Sequence, residues 1–595
     1  MKKILDILPD GFRRRSLGVA LALFARAVLN FAGLAALLPL LTLVLDPAAF
    51  TDGGPLAALF EHSGIASQRL FAGMVCGAVV LFTLLKAAAV FQLARGENRY
   101  LLDLCRALAR KLYIESHDRG LAFIEASDPA ALTREVNVIT RMFVFGVMRP
   151  LAAITAEALL LLLLLGALAV YAPRAALLAL AIFLPAGWLY GRCVRRRIAR
   201  YGTAEERVRR EKGRIVGETF RGYADIELSG AFPEMLRAFD RLSDEELRIR
   251  SREADLNRLP PLLVETALAL GLAGLAVGSF GGENPALWFG VSAVALLRLM
   301  PSVRGILSGW VSVRRNRYTL DRLQPPAAAA PTADPTADGG EHPGTAAPAE
   351  SELLPFERTI EVRGVAFRYP GCGREVLHGL DFTFRKGDRI GIRGASGVGK
   401  STLFRLLTGL YAPTQGEIRI DGVPLTAANR RAWQQRIGFV AQHVFLRDAT
   451  LAENIAPGVP SAEIDRRRIA ELLRVVQLEE FVGTLPRGID TPLGACGGRL
   501  SGGQRQRVAI ARALYRGADV LFFDEATASL DSRTEEEVLR SLTEFAGRNP
   551  RITLFIIAHN ERSLAGCRRI IELGDLNRIL WNTSLPVFGS RSRIH

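Results

Sequence analysis

An α-helical membrane domain of six spans, followed by an α/β domain built around a phosphate loop, is the fold class this 595-residue chain predicts. Three observations predict it: six apolar stretches of spanning length before residue 312, a complete phosphate-loop pattern at 394–401, and a buried-strand run closing on two acids at 520–525. Composition agrees. The chain is too long for one domain, and 49% hydrophobic residues coexist with 23% charged ones at a positive mean hydropathy. Membrane spans fused to a soluble part give that mixture.

The apolar stretches run over about 17–45, 70–94, 143–171, 174–194, 260–280 and 287–309. Leu159 to Leu165 are consecutive leucines, which no amphipathic surface helix tolerates. Charge orients the spans. Lys2, Lys3, Arg13, Arg14 and Arg15 precede the first span, and Arg192, Arg195, Arg196, Arg197 and Arg200 follow the fourth. Residues 46–68 hold Asp46, Asp52 and Glu61 with no Lys or Arg, and the loop at Gly282–Asn284 is charged only at Glu283. By the positive-inside rule the N-terminus and both long polar stretches, 95–142 and 195–259, face the cytoplasm. The soluble domain falls on the same side, so an integral protein of a bacterial inner (plasma) membrane is expected. Residues 1–322 are read as the transmembrane domain and 353–595 as the nucleotide-binding domain. Between them 323–352, rich in Pro, Ala, Gly and Thr, reads as a flexible linker.

The phosphate loop is Gly394-Ala-Ser396-Gly397-Val-Gly399-Lys400-Ser401, after an apolar strand and before the helical spacing of Thr402-Leu-Phe-Arg-Leu-Leu. Backbone N–H groups of such a loop cradle phosphates; Lys400 reaches the β- and γ-phosphates and Ser401 is placed to hold magnesium. The run Val520-Leu-Phe-Phe-Asp524-Glu525 reads as a strand buried on both faces. Asp524 at its end is expected to assist the magnesium, and Glu525 to act as general base. His559 ends another apolar strand, where it can meet a γ-phosphate. Leu500-Ser501-Gly502-Gly503-Gln504 opens a helix, and a helix start with bare N–H groups suits an anion.

In this order and spacing the motifs resemble the ATP-binding-cassette family over the whole C-terminal portion. The resemblance implies that Tyr369 stacks on adenine and that Gln442 links magnesium and the attacking water to the membrane domain. It implies that Ser501 to Gln504 bind the γ-phosphate of ATP held by the opposite subunit, that Asp531 belongs to a loop crossing the dimer interface, and that His559 is the switch histidine. Two chains would sandwich two ATP molecules, so a homodimer is implied. Three positions depart from the pattern: Gly494-Ala495-Cys496-Gly497 lacks the usual Glu before the signature, Asn560 stands where Arg is common, and the tail beyond Asp575 matches nothing expected. Segments 127–135 and 217–223 resemble coupling-helix positions of type IV exporters.

The net charge of +16 is accounted for by membrane orientation and anionic headgroups, so no nucleic-acid partner is expected. Six scattered cysteines indicate neither disulfides nor a zinc site. The first apolar run is far longer than the core of a cleavable signal, so none is expected. Ionisable residues inside the spans, namely Arg26, Lys86, Glu157, Glu265 and Arg298, are candidates for a substrate path. Short runs at 131–137 and 298–307 faintly resemble lipid-linked oligosaccharide flippases. The expected function is therefore an ATP-hydrolysing exporter or flippase of an amphipathic substrate, a lipid or lipid-linked saccharide first. A small amphipathic drug or peptide comes next, and an ABC-derived channel, a regulator or an importer after that.

Overall fold

The computed structural model describes residues 2–45, 60–62, 67–279, 285–323, 354–527, 531–558, 561–574 and 579–582. The chain divides into two compact units. One comprises Met1–Asp118 with Ser127–Ala330; the other comprises Arg119–Ala126 with Pro331–His595. Of the expected linker 323–352, all but Leu323 lies outside the described residues.

The first unit is helical. Its principal helices are α1 (Asp10–Ala35), α2 (Gln68–Asp118), α4 (Arg149–Tyr171), α5 (Pro173–Arg221), α6 (Phe232–Ser279) and α7 (Pro285–Arg315); α3 (Leu121–Ala126) belongs to the second unit. Six candidate spans occur among the described residues: Gly11–Leu40, Gln68–Asp118, Pro129–Val170, Pro173–Arg192, Phe232–Val277 and Ser292–Arg315. Only 6 to 28% of each apolar window is buried, so most of that surface needs lipid or another chain around it. Pro173 sits in the first turn of α5, where a missing N–H costs nothing, while Pro185, Pro260, Pro261 and Pro301 lie inside helices.

Beyond the spans α5 and α6 continue as a stalk whose core is ionic. Glu205 and Glu253 are 5% exposed and Glu206 is 7%. Glu205 meets Arg209 at 2.6 Å and Arg315 at 2.6 Å, Glu253 meets Arg315 at 2.6 Å, and Glu206 pairs with Arg134 and accepts from the Tyr318 hydroxyl at 3.3 Å. Removing one partner from such a pair leaves a buried charge alone, at about 3–5 kcal/mol. Gly202 lets the helices close: a Cβ there would lie 2.2 Å from the Arg315 carbonyl oxygen.

The structure moves both expected helix tips. The first turn is Arg119-Gly120, with Gly120 at φ +80, followed by α3; Asp128 instead N-caps the next helix by accepting from the Ala130 N–H at 3.0 Å. Segment 127–135 is thus the start of an ascending helix. At the other end α5 runs to Arg221, and a separate short helix, Tyr223–Leu228, follows Gly222.

The second unit is an α/β domain with two sheets. The antiparallel one orders as β2-β1-β4-β5, from β1 (Thr359–Phe367), β2 (Leu377–Arg385), β4 (Gln415–Ile420) and β5 (Val423–Pro424). The other orders as β10-β9-β3-β8-β7-β6, from β3 (Arg389–Gly394), β6 (Ile437–Val440), β7 (Val520–Asp524), β8 (Thr553–Ile557), β9 (Arg569–Leu573) and β10 (Ile579–Asn582). Strands β6, β7, β8, β3 and β9 are parallel, and every residue of β7 and β8 is buried, which explains their unbroken apolar runs. Phe522 and Phe555 stack at 4.7 Å, and Phe404 meets Phe522 edge-on at 5.0 Å, which fixes the helix after the phosphate loop on the sheet. Residues 579–582 of the unassigned tail add an antiparallel edge strand to β9.

Candidate functional site

The parallel sheet places its chemistry at the carboxyl ends of β3 and β7, with β8 between them. The loop after β3 needs glycine. Gly394, Gly397 and Gly399 have φ of 154, 83 and 104, and a Cβ on Gly394 would lie 2.3 Å from the Leu573 carbonyl oxygen. Gly399 is the N-cap of α8 (Lys400–Leu407), while Ser396 is exposed at the loop crest. Lys400 is 6% exposed and donates to the Gly394 and Ala395 carbonyls at 2.9 Å each. Its ammonium therefore lies inside the loop that is to wrap phosphates.

Ser401 donates to Asp524 Oδ1 at 3.1 Å. Asp524 is 6% exposed; burial pushes its carboxyl above the usual range, the Ser401 hydrogen bond works against that, and the Glu525 charge adds to it. No cation closes on it within ion-pair distance among the described residues. Glu525 follows with φ +50, a left-handed conformation that a non-glycine residue holds at about 1–3 kcal/mol. Its Oε2 accepts from Gln442 Nε2 at 2.6 Å, so two residues far apart in sequence meet at the end of β7.

Ser401 Oγ and Asp524 Oδ1 form a pair of hard oxygen donors, with Gln442 reaching Glu525 beside them. Among the described residues no group of three or more His, Cys, Asp or Glu could hold a metal alone. That donor set suits magnesium, which takes one or two protein oxygens and completes its shell with phosphate and water.

The signature run sits apart, at the start of α9 (Gly502–Tyr515). Ser501 is its N-cap: its hydroxyl accepts from the Gln504 N–H at 3.2 Å, and Gln504 Oε1 accepts from the Ser501 N–H at 2.8 Å. Leu500 is buried beneath, and Gly502 and Gly503 keep the first turn free of side chains. Immediately upstream Cys496 has φ +52, and a Cβ on Gly497 would lie 2.5 Å from the Leu446 side chain. The departure from the family pattern is thus a tight turn as well as a lost acid. Asp531 caps α10 (Ser532–Arg548) by accepting from the Thr534 N–H at 3.0 Å. His559, Asn560 and Ser529 lie outside the described residues, as does Leu530.

Tyr369 is held by a relay that no local sequence signal announces. Its hydroxyl lies 2.8 Å from Thr402 Oγ1 in the first turn of α8, and its ring meets Phe367 and Tyr411 edge-on at 5.1 and 5.7 Å. Arg405 donates to the Tyr369 hydroxyl at 3.5 Å and pairs with Glu125 of α3 at 3.2 Å; Tyr411 donates to Glu125 at 2.5 Å. Burial and the Glu125 carboxylate both push the Tyr411 phenol upward. Sequence reasoning missed Glu125 and Arg405 because they are 280 residues apart.

The membrane-domain candidates scatter. Arg26 pairs with Glu97 at 2.7 Å. Lys86 lies in the space left by Gly33, where a Cβ would come within 2.7 Å of its Nζ. Glu157 packs against Gly305, and Glu265 is exposed.

Residues 377–528 match the profile of the family described as ABC transporter. The chain is 30% identical over 511 residues to the ATP-dependent lipid A-core flippase of Ralstonia nicotianae, covering 84% of this chain and 82% of that one. It is 29% identical over 530 residues to the flippase of the same name from Burkholderia pseudomallei, covering 86% and 83%. A bacterial Atm1-family ABC exporter with ATP bound shares the fold, with a TM-score of 0.73, 23% identity and coverage of 95% and 94%. The chain belongs to the ABC transporter family, as an integral membrane protein of exporter architecture in which an ATPase is coupled to translocation.

Proposed function

We propose that this chain is a homodimeric flippase that moves a lipid or lipid-linked saccharide from the cytoplasmic leaflet outward. One observation carries the reading: its likeness to lipid A-core flippases runs through both the membrane unit and the cassette, over 84% of the chain. The division into membrane domain 1–322, linker 323–352 and cassette 353–595, with N-terminus and cassette in the cytoplasm, belongs to the same proposal.

ATP binds with its phosphates in the loop Gly394–Ser401, where Lys400 exchanges its two carbonyl partners for phosphate oxygens. Ser401 and Asp524 would hold magnesium, assisted by Gln442. The metal would supply neutralisation of the phosphate charge. Glu525 accepts a proton from the attacking water, whose oxygen bonds to the γ-phosphorus as the bond to the bridging oxygen breaks. Gln442 orients that water through its contact with Glu525. Tyr369 faces the adenine, and the partner's Ser501–Gln504 run closes on the γ-phosphate with Asp531 and His559 at the interface. Two bound ATP molecules close the cassettes and turn the cavity outward; hydrolysis resets it.

The test is ATP-dependent transbilayer movement in proteoliposomes, run against a panel of lipids, lipid-linked glycans, peptides and drugs. Movement of lipids, lost in Glu525→Gln, is the expected result. Stimulation by peptides or drugs alone would replace the lipid reading, and conductance surviving in Glu525→Gln would replace transport by a channel.

A further inference from the structure

Three consecutive glutamates stand near the start of α10, and one of them turns inward. Glu535 shares a helix face with Val538, Leu542 and Ala546, all of them buried. Glu536 is exposed, and Glu537 pairs with Arg533 at 3.1 Å at the surface. A carboxylate on the core-facing stripe of a helix needs polar partners. Glu535 has two, and both meet the same oxygen: Thr527 Oγ1 donates to Oε1 at 2.8 Å and Ser563 Oγ at 2.6 Å.

The two hydroxyls come from different parts of the chain, and both residues are buried. Thr527 lies two residues after Glu525, on the segment that leaves β7. Ser563 lies in the single helical turn Glu561–Leu564 that follows β8. Glu535 thus ties the chain beyond β7 to the chain beyond β8, from a helix whose own first turn is fixed. There Asp531 accepts from the Thr534 N–H at 3.0 Å, and the Glu535 N–H donates to the Asp531 carbonyl at 2.9 Å.

Between β7 and Thr527 stands the left-handed turn at Glu525, with φ +50. Such a conformation persists only where its surroundings over-determine it. On the upstream side the strand ladder restrains it: Asp524 pairs with Ile557, and the Glu525 N–H donates to the Ile557 carbonyl at 3.1 Å. On the downstream side Ala526 is buried and Thr527 is held by Glu535. Without Glu535, two buried hydroxyls lose their acceptor at that end of the turn.

We propose that Glu535 is a positioning residue for ATP hydrolysis: its Oε1, bridging Thr527 and Ser563, holds the turn that presents the Glu525 carboxylate. The proposal rests on the reading of Glu525 as the base and adds the residue that keeps it in place. The bridge needs an acceptor oxygen and no charge. A carboxylate near the start of α10 also favours the helix through its dipole, which needs the charge and no bridge. Glutamine separates the two, since its amide oxygen can accept both hydroxyls.

The test uses the full-length protein in nanodiscs. It measures ATP turnover against concentration, binding of a non-hydrolysable ATP analogue, and hydrogen exchange in peptides over 520–527. Glu535→Ala is expected to lower maximal turnover about 10- to 100-fold with half-saturating ATP little changed. Exchange over 520–527 should quicken in the same variant. Glu535→Gln is expected to return most of the turnover and the protection, while its thermal midpoint falls with the lost dipole contact. Thr527→Val added to Glu535→Ala is expected to cost nothing further, because its acceptor is already gone. Parent-like turnover in Glu535→Ala overturns the proposal, and so does a glutamine variant as slow as the alanine one. Loss of analogue binding together with turnover overturns it as well, in favour of a general structural role. If Glu535→Ala does not fold, Thr527→Val with Ser563→Ala removes the bridge from the other side and is held to the same outcomes. Glu525→Gln is the control on the underlying reading. Parent-like turnover there removes that reading and the proposal with it; a slow Glu525→Gln beside a parent-like Glu535→Ala removes the bridge alone.

Discussion

The stalk and the ATP site bury charge in opposite ways. In the stalk Glu205 and Glu206 close on Arg209, Arg315 and Arg134, so each of these carboxylates has a guanidinium beside it. In the cassette Asp524 is as deeply buried, but its recorded partner is a hydroxyl, and burial holds its carboxyl high. Among the described residues Asp524 hydrogen-bonds to the Ser401 hydroxyl where the stalk carboxylates meet guanidinium groups, which leaves it available to a ligand. The contrast predicts that the same kind of substitution will damage stability in one region and chemistry in the other.

The largest effect is expected at Glu525. Glu525→Gln should lower ATP turnover by about 10²- to 10⁴-fold while the chain still binds ATP, measured by turnover and by nucleotide retention on one sample. A loss of binding and turnover together would make Glu525 a structural residue like those of the stalk.

Next comes Glu205→Ala, which removes the carboxylate that Arg209 meets and one of the two that Arg315 meets. It should cost about 3 kcal/mol, the low end for a broken buried pair because both arginines are partly exposed. The midpoint of thermal unfolding in detergent should fall, with cassette ATP affinity retained. Gly202→Ala should act in the same direction through the clash with the Arg315 carbonyl. An unchanged midpoint in both would mean that the ionic core does not hold the stalk.

Asp421 offers a smaller effect inside the cassette. Its carboxylate accepts the backbone N–H groups of Glu357, Arg358 and Thr359; burial raises its pKa, but those bonds outweigh it and the net shift is downward. A carboxyl depressed on folding contributes stability above its unfolded pKa and loses it as pH falls through the folded one. Asp421→Asn should therefore speed hydrogen exchange at the β1 amides at neutral pH, by about 1–3 kcal/mol of protection. The difference from the parent should shrink once acid takes the parent through the depressed pKa. A pH-independent difference would assign the effect to shape, not charge.

The smallest effect is at the relay. Glu125→Gln keeps the hydrogen bond from Tyr411 but removes the charge facing Arg405. Half-saturating ATP should rise by about tenfold or less, with maximal turnover affected less. If only maximal turnover fell, Glu125 would matter for a later step than nucleotide capture.

These two regions were unequally legible from sequence. The cassette motifs are local: Gly394–Ser401, Asp524-Glu525 and Ser501–Gln504 each carry their geometry in adjacent residues, because a phosphate cradle is made of consecutive N–H groups. The stalk is different. Glu205-Glu206 stands among Arg207, Arg209 and Arg210 and reads as a solvated charge run; its partners Arg134 and Arg315 are 72 and 110 residues away. Arg26 looked like a cavity residue for the same reason, since Glu97 is 71 residues distant. The first helix tip falls a few residues before the expected 127–135 because the left-handed turn at Gly120 directly follows the end of α2. Strand β10 was missed because its pairing to β9 is set by the sheet edge and not by any pattern in the tail.

The central claim is that hydrolysis at Glu525 drives a lipid across the bilayer. It is tested most directly in proteoliposomes carrying a fluorescent phosphatidic acid, comparing the parent chain with and without ATP and with Glu525→Gln. ATP should accelerate loss of the label from the cassette-side leaflet for the parent alone. Equal movement in all three samples would contradict the account.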